Sequence, residues 1–81
     1  MTMERVIQDF RLQLGKAVRQ RRKAMKLSQE AFAERLDVHR NYVGLIERGQ
    51  QNITLETLVK LCCAFGCQPA DLVPGISFDR T

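Results

Sequence analysis

The stretch LSQEAFAERLDVHRNYVGLIERG, Leu27 to Gly49, carries two helix beginnings with almost no chain between them. Ser28 can accept a backbone hydrogen bond as an N-cap, and Glu30 just inside it suits the positive end of a helix. A second helix opens at about His39. Only Asp37 and Val38 separate Leu36 from His39, so the two helices cannot lie antiparallel and must cross steeply. A tight crossing needs a small residue at the contact, which Ala33 can supply. The turn needs a residue that tolerates a left-handed backbone, and Asp37 can do so, though glycine would do it more easily. Phe32, Leu36, Val38, Val43 and Ile46 then converge on one side.

The rest of the chain reads as helix too. Phe10, Leu14, Ala17, Val18 and Met25 recur at helical spacing and predict a first helix over about 9–25. Arg21 interrupts that stripe, and its aliphatic stem can cover apolar surface while the guanidinium reaches water. Val6 and Ile7 either extend the helix backward or fray with the terminus. After the segment from Ser28, Gly49 supplies a left-handed stop. Thr54 caps a fourth helix reaching about Phe65, with Leu55, Leu58, Val59, Leu61 and Cys62 as its apolar candidates. Gly66 ends it. QPADLV opens a short fifth helix, with Gln68 as cap and Pro69 at the first helical position, where its missing N–H costs nothing. No alternating apolar pattern and no Asn-Gly or Asp-Gly hairpin signal supports a strand. The expectation is all-α: five helices around one core.

Eighty-one residues make one domain, its core expected over about 10–74 with short extensions at either end. No apolar run approaches the length of a membrane span, and MTMERVIQDF has neither the basic start nor the apolar stretch of a secretory signal. A cytoplasmic protein is expected. Formal net charge is only +4, but its placement matters. Arg11, Lys16, Arg19, Arg21, Arg22, Lys23 and Lys26 follow one another with no acidic residue among them, a segment that draws polyanions or forms a solvated helix face. Cys62, Cys63 and Cys67 match no zinc spacing and, being odd in number, suggest no disulfide framework. At least one is expected to act as a small buried hydrophobe. One His, no Ser/His/Asp grouping and no phosphate loop leave catalysis nothing to use, so no enzyme, cofactor or metal is expected.

Two helices joined by so tight a turn form a helix-turn-helix, whose second helix enters the DNA major groove. LSQEAFAERL, YVGLIERG, TLETLVKL and FGCQPADL together resemble the domain of lambda-type repressors and Cro proteins, the XRE family. The likeness covers about Leu14 to Pro74, and RNYVGLIERGQQNITLETL is similar to the small controller proteins of restriction–modification systems. The resemblance implies a five-helix lambda repressor-like fold and a homodimer on an inverted-repeat operator. It implies a phosphate contact for Gln29 and base-reading positions at Arg40, Asn41, Gly44 and Leu45. It also implies a buried ion pair between Arg22 and Glu47. Lys26 and Asp37 stand where the family most often has Gly, so both turns are expected to be strained.

The chemistry of these side chains fits that reading, with plainer alternatives beside it. Arg40 can present a two-pronged donor to guanine, and Asn41 can pair with adenine or merely satisfy a backbone group. Arg40 at a helix start is locally unfavourable, which favours a functional role. Leu45 either touches a thymine methyl or lies exposed. Gly44 inside a helix costs about 1 kcal/mol against Ala, and either close backbone approach to DNA or ordinary drift explains it. Tyr42 bonds a phosphate or packs beside the groove. His39 is expected to cap its helix and touch phosphate. Arg48 and Asn52, in a polar loop, and Lys23, on the basic helix, are the remaining phosphate candidates.

These expectations describe a DNA-binding transcription regulator with no small-molecule effector and no membrane partner. It is expected to dimerise through the region of Leu72, Val73, Ile76 and Phe78. The alternative is an antitoxin or protein-interaction module on the same fold.

Overall fold

In the computed structural model, which describes residues 2–73, five helices follow one another. They are α1 (Met3–Ala24), α2 (Gln29–Leu36), α3 (Arg40–Glu47), α4 (Leu55–Phe65) and α5 (Pro69–Leu72). Four begin on a side chain that accepts a backbone N–H: Thr2 from Arg5, Ser28 from Ala31, His39 from Asn41 and Thr54 from Thr57. At α5 the bond runs the other way, the backbone N–H of Gln68 donating to Asp71 Oδ2 at 2.8 Å. The expected caps Ser28, His39, Thr54 and Gln68 all stand at their helix starts. The first helix differs, because Thr2 caps it and adds almost two turns before Asp9.

The core is one cluster of Leu14, Val18, Phe32, Ala33, Leu36, Val43, Ile46, Leu61 and Leu72. Phe32 is fully buried and stacks on Phe65 with ring centroids 5.1 Å apart. Arg21 lies over the outer side of Phe65, its guanidinium carbon 5.9 Å from the ring centroid, as its amphipathic side chain allows. α3 packs against both α1 and α2, which fixes its orientation in the molecule.

The two strained turns are where the sequence places them. Asp37 has φ +56° and Lys26 φ +60°, both left-handed. At Asp37 the return is closed by Val38 N–H donating to the Ala33 carbonyl at 3.0 Å. Ala33 is buried, as the tight crossing requires.

Three apolar expectations fail. Leu55 and Val59 are not inner residues of α4 but stand 77% and 54% exposed. The arc of α4 that faces inward carries Thr57 and Leu61 instead, with Leu58, Cys62 and Phe65 packed at its edges. Leu72 is fully buried in the core of its own chain, so it has no surface to offer a second copy. Val73 is half-buried, and Ile76 and Phe78 lie outside the described residues. Burial pushes the Cys62 thiol up from its ordinary range, helped by the neighbouring Cys67, consistent with a small apolar filler.

Candidate nucleic-acid interface

The exposed side of α3 starts from its cap. His39 Nδ1 accepts the Asn41 backbone N–H at 3.1 Å, so the neutral ring carries its proton on Nε2, facing outward from the cap. Arg40 and Asn41 follow, both exposed, on the first turn of a helix whose opposite side buries Val43 and Ile46. Leu45, one turn on, is half-buried. Arg40 meets Glu30 of α2 only loosely, 3.9 Å apart with both side chains about two-thirds in water (65% and 69%). Such a rim pair is screened and holds Arg40 weakly. The start of α2 (Ser28 to Glu30) and the stripe Arg40, Asn41, Gly44, Leu45 and Arg48 line one shallow, open concavity.

Gly44 forms the floor of that concavity. It is buried beneath two side chains: a Cβ there would sit 3.1 Å from Arg48 Nη1 and 3.6 Å from Gln29 Oε1. Its backbone therefore meets a ligand only after Arg48 swings aside. Arg48 itself donates through Nε to Gln50 Oε1 at 3.0 Å.

Behind the concavity lies the buried ion pair. Arg22 Nε donates to Glu47 Oε2 at 2.6 Å and Nη2 to Glu47 Oε1 at 3.0 Å, while Nη1 donates to the Leu27 carbonyl at 2.8 Å. Donating to the Glu47 carboxylate holds the Arg22 guanidinium above its ordinary range despite desolvation. Gln29 Nε2 joins the network, donating to Glu47 Oε1 at 3.2 Å. Gln29 also lines the concavity, and its Nε2 keeps a second N–H. Arg22, Glu47 and Gln29 thus stand together, tying α1, α2 and α3.

Other candidates fall elsewhere. The Tyr42 hydroxyl lies 3.4 Å from Thr57 Oγ1 and its ring packs against the core, so its polar end has an internal partner. Asn52 accepts two hydrogen bonds from Arg11 on Oδ1. Lys23 is exposed in the last turn of α1.

Sequence reasoning missed one residue that places α3. At Gly15 a Cβ would stand 2.5 Å from the Ile46 carbonyl oxygen and 2.7 Å from that of Glu47, so α1 crosses the end of α3 backbone to backbone. The signal was present as a glycine inside an otherwise helical stripe, which usually marks a close packing contact.

A short exposed helix with polar side chains at its tip, braced from behind on two others, defines a helix-turn-helix DNA-binding regulator rather than an enzyme. Residues 18–72 match the family model described as Helix-turn-helix, and the chain belongs to that family. It is 42% identical over 66 residues to control protein C.BamHI of Bacillus amyloliquefaciens, covering 80% of this chain and 82% of that one. It is 43% identical over 56 residues to control protein C.SmaI of Serratia marcescens, covering 69% and 67%. The crystal structure of the restriction-modification controller protein C.AhdI from Aeromonas hydrophila superposes with a TM-score of 0.71 at 39% identity. That match covers 76% of this chain and 94% of C.AhdI. Among the described residues no helix is long and apolar enough to cross a membrane.

Proposed function

We propose that this chain is a cytoplasmic controller of a restriction–modification system, a single domain that binds an inverted-repeat operator as a homodimer. The observation that carries the reading is the outward tip of α3: Arg40 and Asn41 are exposed at the front of a helix whose rear is locked through Glu47 to Arg22 and the core. The similarity to C.BamHI, C.SmaI and C.AhdI supports the restriction–modification assignment. Arg40 and Asn41 read base edges, Leu45 lies against a thymine methyl, and Gly44 lets the helix sit deep in the groove once Arg48 has moved. Gln29, His39, Arg48, Asn52 and Lys23 hold phosphates around it. Tyr42 contributes from the side, through the free lone pair or proton of a hydroxyl already near Thr57.

One monomer reads few base pairs, and doubling the interface gives useful affinity. The exposed pair Leu55 and Val59, one turn apart on α4, supports docking of a second copy there, together with Val73 and the Ile76 and Phe78 region beyond it. Selection of bound duplexes from a random pool tests the whole reading. The expected product is a two-fold symmetric site whose half-sites are spaced by about one helical turn or a multiple of it. An unenriched pool overturns it.

A further inference from the structure

Asn52 stands exposed in the loop between α3 and α4, with one end of its carboxamide engaged. Arg11 donates to Asn52 Oδ1 through Nε at 2.8 Å and through Nη2 at 2.6 Å. A primary amide presents an oxygen on one side and NH2 on the other, and two guanidinium donors can face only the oxygen. The Nδ2 end therefore points away from Arg11. Arg11 is held in turn, its Nη1 donating to Gln8 Oε1 at 3.2 Å. Gln8 closes the chain, its Nε2 donating to the Gly49 carbonyl at 3.3 Å. Donor and acceptor are thus assigned at every amide along the series, from the loop backbone through Gln8 and Arg11 to Asn52. The series exists because α1 begins at Met3: the helix brings Gln8 and Arg11 alongside a loop 41 residues away in sequence.

We propose that Gln8 and Arg11 are positioning residues for DNA binding, holding the Asn52 carboxamide with its N–H2 edge turned outward to donate to a backbone phosphate. This rests on the reading of the chain as a duplex-binding regulator. An unheld carboxamide on an exposed loop flips freely and presents oxygen to the polyanion as readily as it presents a donor. The Arg11 cation removes that ambiguity, and by polarising the amide through Oδ1 it strengthens the opposite N–H as a donor. Arg11 acts through Asn52: three of its five N–H groups, one each on Nε, Nη1 and Nη2, are committed within the protein, two of them to the Asn52 oxygen.

The test compares wild type, Arg11→Ala, Asn52→Ala, the double variant and Asn52→Asp on a selected duplex and on an unrelated one, over a salt series, with thermal melts alongside. Asn52→Ala is expected to weaken both duplexes alike, by about tenfold, the loss of one hydrogen bond to a charged group. Arg11→Ala is expected to weaken binding comparably, and the double variant no further than Asn52→Ala, with the salt slope of wild type. Asn52→Asp keeps the acceptor for Arg11 and so the melting temperature, yet loses the donor and the affinity; should Arg11→Ala unfold, this variant decides. Wild-type affinity in Asn52→Ala overturns the proposal. So do additive losses with a salt slope reduced by about one in Arg11→Ala, because Arg11 would then sit on a phosphate itself. A wild-type chain that binds neither duplex overturns the regulator reading, whereas binding that ignores Asn52 overturns the positioning role alone.

Discussion

Arg22 at the end of α1 and Glu47, the last residue of α3, meet in two parallel hydrogen bonds with side chains only 9% and 2% exposed. The pair spans 25 residues of sequence and fixes the rear of the exposed helix against the helix that braces it. Paired guanidinium and carboxylate satisfy each other's geometry in a way Lys could not.

Arg22→Ala is therefore expected to cost about 3–5 kcal/mol, because the Glu47 carboxylate would remain buried without a counter-charge, with only the Gln29 amide left to donate to it. Urea titration measures it as a lower midpoint with little change in slope. The folded Arg22 is raised above its unfolded value, so its stabilisation is complete below the unfolded arginine range and fades only as pH rises through the still higher folded value. Stability of the wild type between pH 6 and 9 (about neutral, far below any arginine titration) is expected to show no step from this group.

Gly15→Ala tests the backbone crossing of α1 on α3. Helix propensity alone predicts a gain of about 1 kcal/mol. The new Cβ would stand 2.5 Å and 2.7 Å from two backbone carbonyl oxygens, which cannot rotate aside as a side chain can. Overpacking wins, and a net loss of about 1–3 kcal/mol is expected. A thermal midpoint at or above wild type would show that the two helices have room to separate.

Most of the scaffold was legible because caps are local chemistry. Ser28, His39, Thr54 and Gln68 mark helix starts within a turn of the residues they serve. The start of α1 was not, since Thr2 precedes a segment whose apolar residues are also compatible with a frayed end. Leu55 and Val59 misled because an apolar residue near a helix start looks like core until the facing elements are known. The site divides likewise. Arg22 with Glu47 followed from family resemblance, whereas the internal bonds of Tyr42 and Asn52 depend on where Thr57 and Arg11 arrive in space.

Lys26 holds a left-handed conformation, φ +60°, that costs a residue with a Cβ about 1–2 kcal/mol. Lys26→Gly removes that strain but frees the unfolded chain, which takes back about 0.5–1 kcal/mol. A net stabilisation of about 0.5–1 kcal/mol is expected in thermal or urea melts. Asp37, at φ +56°, is a lesser opportunity, because a short polar side chain tolerates this region better.

At Gly44 stability and binding are expected to separate. Arg48 is exposed, and the tip of its guanidinium is all that stands 3.1 Å from a Cβ at this position, so a small swing admits the methyl. Gly44→Ala is then expected to stabilise the fold by up to about 1 kcal/mol. The same methyl raises the floor of the concavity and holds α3 away from the duplex, so affinity should fall. A variant that gains stability and keeps full affinity would reduce Gly44 to a tolerated accident.

Arg40→Ala addresses the tip of the helix itself. Among the described residues it pairs with Glu30 at 3.9 Å, both side chains exposed, so little folding stability rests on it. The expected signature is an unchanged melt together with a loss of about 1–3 kcal/mol on the selected duplex and relaxed preference at one base pair. A uniform loss across all duplexes, with a shallower salt dependence, would move Arg40 from the bases to the phosphates. Unchanged affinity and preference would remove the front of α3 from the groove, and with it the orientation on which the operator reading depends.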